Sequence, residues 1–278
     1  MTRRSRASVQ DWRENYVTTD ALGLRLEVMR RFKRGTGAFG LDVLRRRDVH
    51  GRRVLEIGPG TGLHASGFLA RTGAVPASWV ALDRSEAMAR ATRSACRDDR
   101  GVHVVVGDAE LLPVAARTRF DLVVAMHVLP FAAHPRRVLE ALAARLAKDG
   151  RVLVTVHGDD DGRDVRRAIR RAVRDSGLPW RPIATIGYSR TPAERDLRSV
   201  FRTVDVHVED VALHLPDPDW AVRYFGSMPW LGGLPASVRR RADAAVRTLA
   251  RHAIERGGEL RVPKGSVTLV ASQPRRRR

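Results

Sequence analysis

The stretch Val54-Leu55-Glu56-Ile57-Gly58-Pro59-Gly60-Thr61-Gly62 constrains the fold of this chain more than any other. Arg53 to Ile57 reads as a buried strand, and it breaks directly into three glycines at every second position. Helical spacing follows, with Leu63, Ala65, Phe68 and Leu69 on one side. Glycines at such a strand-to-helix turn permit positive φ and let the backbone pass close to a bound molecule. The helix start then offers unpaired N–H groups beside that molecule. A nucleotide-like cofactor is the expected occupant. Glu56 is charged within an otherwise apolar strand, so it needs a specific partner.

Further signals fall where an alternating β/α fold would put them. Trp79 to Asp83 reads as a second buried strand, and its terminal acid lies 21 residues after Gly62. A carboxylate there can accept both hydroxyls of a ribose. His103 to Val106 is a third strand, ending in Gly107-Asp108-Ala109-Glu110, and Phe120 to His127 is a fourth. Gly60 to Ala65 also satisfies the dinucleotide pattern G-x-G-x-x-A, but that pattern requires neither Glu56 nor the Asp108 element. Four elements match in order and spacing: E-x-G-x-G-x-G, the acid ending the second strand, G-D-A-x-x-L-P (Gly107 to Pro113), and F-D-x-V-x-x-x-x-x-L (Phe120 to Leu129). The helix-plus-strand segment Leu139 to Thr155, with its K-D-G turn at Lys148 to Gly150, continues the match. Over about residues 50 to 158 the chain resembles the class I S-adenosylmethionine-dependent methyltransferases, in particular their small-molecule, ubiquinone-biosynthesis-like branch.

The resemblance implies a Rossmann-like α/β fold. Its mostly parallel seven-stranded sheet would carry helices on both faces, an N-terminal helical cap, and a helical insertion before the last strand. It implies S-adenosyl-L-methionine as cofactor and S-adenosyl-L-homocysteine as product. Glu56, Gly58, Gly60, Gly62, Asp83, Arg84, Met88, Asp108, Ala109 and Met126 would hold the cofactor, with Ser85 capping the helix after Asp83. His127, directly after Met126, is the candidate general base, and His134, just before Pro135, is a second. Tyr16, Phe131, Tyr224 and Trp230 are candidates for substrate binding, although core packing is an ordinary use of such residues. No metal site is expected. The implied activity is methyl transfer to a small-molecule acceptor, as in secondary metabolism.

One property pulls elsewhere. Lysine and arginine number 51 against 31 acidic residues, a formal charge of +20, and only Lys33, Lys148 and Lys264 are lysines. A phosphate-binding surface would explain such a charge, which keeps an RNA methyltransferase as the alternative. However, Arg163, Arg166, Arg167, Arg170, Arg171 and Arg174 alternate with Val165, Ala168, Ile169, Ala172 and Val173 in the pattern of an ordinary amphipathic surface helix. Other clusters (Arg45 to Arg47, Arg239 to Arg241, Arg275 to Arg278) are scattered, no RNA-binding motif accompanies them, and aromatics are only 5% of the chain, few for stacking bases. Small molecules are therefore the expected partners, ahead of nucleic acid, with no membrane and a monomer or homodimer. No apolar run reaches the roughly 18–20 residues that cross a bilayer. Met1 to Arg6 is basic with no apolar stretch after it, and Cys96 is the only cysteine, so a cytoplasmic protein without disulfides is expected.

The expected organisation is a helical cap over residues 1–50, a cofactor-binding core over 51–158, the remainder of the fold over 159–274, and a basic tail over 275–278. In the cap, Val17 to Arg34 and Leu41 to Arg47 read as helices, and Trp12 and Tyr16 would share a helical face. Asp161 is placed to cap the Arg163 helix. Pro179 to Pro192 reads as a loop, Thr203 to Val208 as a sixth strand, about 213–258 as a proline-broken helical insertion, and Ser266 to Ala271 as a final strand. The last two strands would form an antiparallel hairpin at the sheet edge.

Overall fold

The computed structural model describes residues 16, 18–36, 40–99, 101–178, 187–231 and 234–275. In chain order the elements begin with α1 (Asp20–Phe32), β1 (Lys33–Thr36), β2 (Arg53–Ile57), α2 (Leu63–Thr72), β3 (Ser78–Asp83) and α3 (Glu86–Ala95). Next come β4 (Val102–Val106), β5 (Phe120–Met126), α4 (Pro135–Ala143), β6 (Leu146–His157) and α5 (Arg163–Arg174). The chain continues with α6 (Arg190–Val200), β7 (Phe201–Leu215), α7 (Pro218–Gly226), α8 (Ala236–Gly257), β8 (Leu260–Pro263) and β9 (Ser266–Pro274). They fall into two compact units. The core unit takes Ala38–His157, Tyr188–Glu209 and Ser266–Arg278; the second takes Met1–Gly37, Gly158–Gly187 and Asp210–Gly265.

The core unit is built on the sheet order β4-β3-β2-β5-β6-β9-β7. The first five strands run parallel, and β9 lies antiparallel between β6 and the first part of β7, which is the expected edge hairpin. Side chains alternate between two apolar layers, as the period of a strand requires. Leu55, Ile57, Val123 and Ala125 pack with Val138, Leu139, Ala193 and Leu197 of α4 and α6. Val54, Val124 and Leu153 pack on the opposite face with Ala65, Phe68 and Leu69 of α2. A parallel sheet covered on both faces leaves its strand ends as the place where polar groups collect.

The expected seven strands are those of the core unit, yet the continuous sheet has nine. β7 is 15 residues long, and its far half pairs antiparallel with β1 and β8 inside the second unit. Lys33 and Arg34, expected to end a helix, are consequently strand, and 213–215 belongs to β7 rather than to the insertion. Residues 41–47 form two 3-10 turns, Gly40–Val43 and Arg46–Asp48, not one helix. Helix α6 begins at Arg190, inside the expected loop. The second unit packs α1, α5, α7 and α8 around its own core of Val28, Ile169, Phe225, Val246 and neighbours. Asp161 does not cap α5: Gly162 occupies that position, and Asp161 Oδ1 lies 2.6 Å from Lys264 Nζ. Lys264 is thus buried, beside the Tyr224 ring, and not a surface cation. Among the described residues no helix is long and apolar enough to cross a membrane.

Candidate functional site

The chain reverses direction in the sheet between β2 and β5: β3 and β4 lie on one side of β2, β5 and β6 on the other. Ligands of open α/β sheets occupy the crevice at such a switch point, outside the carboxyl ends of the strands. The glycine turn sits there. Gly58, Gly60 and Gly62 all have left-handed backbone, with φ of 64°, 62° and 74°. At Gly58 a Cβ would come within 2.5 Å of Val128 Cγ2, and at Gly62 within 2.9 Å of Thr92 Cα. Glycine is required at both for conformation and for space. The turn is further held by Thr92, whose hydroxyl donates to Gly60 O at 2.9 Å.

Asp83, at the end of β3, closes the turn from the neighbouring strand. Its carboxylate accepts from Gly60 N at 3.2 Å and from Ser85 N at 2.9 Å. Burial pushes its pKa up, while those backbone hydrogen bonds and the adjacent Arg84 guanidinium favour the charged form. Ser85 caps α3 as expected, accepting from Met88 N at 3.2 Å, and Met88 is fully buried. Glu56 finds its partner in Trp79, whose indole N–H donates to Glu56 Oε2 at 3.0 Å. Burial of Glu56, with the charge of Asp83 nearby, pushes its pKa up to about 7.

The loops after β4 and β5 complete the rim. Asp108 Oδ1 accepts from Glu110 N at 2.9 Å, which orders the turn following Gly107, with Ala109 half-buried in it. Glu110 Oε1 in turn accepts from Ala133 N at 2.6 Å and ties the two loops together. Met126 ends β5 almost buried. His127 follows in a left-handed conformation, φ 52°, with its N–H donated to Thr155 O at 2.8 Å. Non-glycine residues seldom adopt this region, histidine more readily than most, and such positions collect at functional sites. The His127 ring lies against that of His157 at the end of β6, centroids 4.5 Å apart.

The other candidates are placed as follows. Phe131 is half-buried at the end of the 3-10 turn Leu129–Phe131. His134 is exposed at the N-cap position of α4 and makes no side-chain cap bond. Tyr16, Tyr224 and Trp230 belong to the second unit. Tyr16 Oη accepts from Arg25 Nη2 at 3.4 Å. Tyr224 is buried in that unit's core, with burial raising its pKa and Lys264 opposing. Trp230 sits in the 3-10 turn Pro229–Leu231, its side chain outside the described residues; Trp12 is likewise outside them. Sequence reasoning missed Trp79, Thr92, Val128 and His157. Only His157 carried a legible sign, a histidine ending the strand that follows β5.

Sheet order, glycine turn and strand-end carboxylates define a class I, Rossmann-like methyltransferase fold. Residues 55–154 match the model of a methyltransferase domain. A curated relative, malonyl-[acyl-carrier protein] O-methyltransferase of Methylococcus capsulatus, is 33% identical over 149 residues, 53% of this chain and 48% of that protein. The chain thus spans about half the length of that relative. Among solved structures, the YcgJ protein of Bacillus subtilis superposes with a TM-score of 0.55 at 15% identity, covering 82% of this chain and 94% of that one. A candidate methyltransferase from Bacillus halodurans gives 0.54 at 16% identity, covering 82% and 95%. Both speak for the fold.

The residues at the switch point suit an S-adenosylmethionine-type cofactor. The left-handed glycine turn brings bare backbone to the crevice, and Asp83 offers acceptor oxygens at the neighbouring strand end. Among the described residues no cluster of three or more His, Cys, Asp or Glu side chains is arranged for a metal ion.

Proposed function

We propose that this protein is an S-adenosylmethionine-dependent methyltransferase acting on a small-molecule acceptor. The observation that carries the proposal is the joining of the glycine turn to Asp83 at the switch point of a methyltransferase-type sheet. Gly58 to Gly62 would receive the methionine part of the cofactor, Asp83 the ribose hydroxyls, and Asp108 with Ala109 the adenine edge, with Glu56, Arg84, Met88 and Met126 supporting that shell. The bound sulfonium supplies an already activated methyl group, so the protein's task is chiefly to hold the acceptor in line. His127 is assigned to take a proton from an acceptor that must lose one, and Phe131 is assigned to contact that acceptor. The Methylococcus capsulatus relative is named as an O-methyltransferase, which makes oxygen the first acceptor atom to test. No observation favours RNA as the acceptor. A cytoplasmic setting accords with the single, buried cysteine.

Calorimetry tests the placement. A charge-assisted hydrogen bond is worth roughly 1.5–3 kcal/mol, so Asp83→Asn should weaken S-adenosylmethionine about ten- to a hundredfold while circular dichroism stays native. If NAD stabilised the wild type thermally and S-adenosylmethionine did not, the proposal would fail.

A further inference from the structure

Helices α5 and α8 pack against each other within the second unit and carry a charge distribution that the cofactor site does not use. Between them they hold twelve arginines against three carboxylates, Asp164, Asp243 and Glu255, with Asp175 just past the end of α5. Arg167 pairs with Asp164 and Arg171 with Asp175, both at 3.8 Å and both exposed. Exposed pairs of this kind neutralise little, and the remaining arginines far outnumber them. Along the seam of the two helices runs an open groove of about 450 Å³. Ala168, Ala172 and Leu249 give it an apolar lining, and its rim carries Arg171, His252 and Arg256 together with Asp175, the acidic partner of Arg171. Arg241 Nη1 donates to Ser176 Oγ at 3.4 Å and crosses the seam at one end.

We infer that this groove is a docking surface for an acidic amphipathic helix of a partner protein. An apolar floor between two arginine-rich helices matches a helix whose Leu-type stripe enters the groove while carboxylates on its flanks meet the arginines that outnumber Asp175 and the other acids. A nucleic-acid strand fits less well, because phosphates gain nothing from an apolar floor and the groove lining includes no aromatic side chain to stack a base. An anionic bilayer fits less well too, because membrane surfaces are gripped by large apolar and aromatic side chains, and here the apolar lining is alanine apart from Leu249. The rows of like charge would also speed encounter with an acidic partner.

The test uses the full chain and a fluorescently labelled synthetic 20-residue helix with a leucine stripe flanked by glutamates. A second peptide of the same composition, with leucines and glutamates scrambled, serves as control, beside a 20-nucleotide oligouridylate and phosphatidylglycerol vesicles. The striped peptide should bind at least about tenfold more tightly than the scrambled one. Ala172→Trp, which fills the floor, and the exposed pair Arg171→Glu with Arg256→Glu should each weaken it about tenfold or more, with circular dichroism unchanged. The charge-reversal pair keeps the test decisive if the tryptophan disturbs packing. Equal binding of both peptides would overturn the inference by showing a diffuse field. So would tighter binding of oligouridylate or vesicles that Ala172→Trp leaves intact.

Discussion

Glu56 and Trp79 show how much one buried pair decides beside the glycine turn. The carboxyl has lost its water and receives one indole N–H, and burial holds its pKa near 7 against an ordinary 4.5. The consequence for stability has a definite sign. Below about pH 4.5 the group is protonated in both folded and unfolded chains and adds no pH dependence. As pH rises from 4.5 to 7 the unfolded chain releases the proton first, so the folded state loses stability across that window, by on the order of 3 kcal/mol at most. Glu56→Gln keeps an acceptor for Trp79 without the titration. Its stability advantage over the wild type in urea unfolding should therefore grow between pH 4.5 and 7 and then level off; a difference independent of pH would contradict the assignment. The need for a partner was legible from the charge in an apolar strand. Its identity was not, because it depends on register: Glu56 pairs with Ala81, and Trp79 lies two positions earlier on the same face. Lys264 makes the same point, since its pairing with Asp161 joins residues a hundred positions apart.

At the scale of elements, the glycine turn was readable because its cause is local, a chain that must reverse with φ positive beside two strand ends. β7 was not readable to its full length. Its far half is strand because β1 and β8 supply partners from distant parts of the sequence, and no short-range pattern reports that. Glycines separate the two kinds of constraint experimentally. At Gly58 an alanine would be strained at φ 64° and would also meet Val128 at 2.5 Å. Gly67 lies exposed within α2, with nothing inside 4 Å of an added Cβ. Gly58→Ala should cost about 1–3 kcal/mol and weaken cofactor binding. Gly67→Ala should stabilise by about 0.4–1 kcal/mol, since it only removes freedom from the unfolded chain. Urea midpoints that moved in the same direction would contradict this account of the turn.

Across the whole molecule, the boundaries that mattered follow contacts rather than the order of the chain. Residues 1–50 do not stay together: the segment from residue 38 onward folds with the core unit, while 210–265 and 158–187 join the N-terminal piece. A sequence read in order cannot show this, because each unit is assembled from three separate segments. The charge raises the same question at larger scale, whether activity follows the arginines or the crevice. Arg166, Arg167, Arg170 and Arg171 lie on the outward side of α5, exposed or half-exposed, and charges in water are screened over about 8 Å in physiological salt. Changing all four to glutamine should leave turnover of a free small acceptor nearly unchanged. His127 requires a more careful substitution, because alanine at φ 52° would disturb the backbone as well as remove the ring. Asparagine tolerates that conformation. His127→Asn should lower turnover by about 10²–10⁴-fold if the ring takes the acceptor's proton, and far less if it only shapes the crevice. Assayed on one acceptor, an enzyme of nucleic acid would give the opposite order, with the arginine changes dominating and a steep loss of activity in added salt. The crevice, with its bound turn and its left-handed histidine, should dominate.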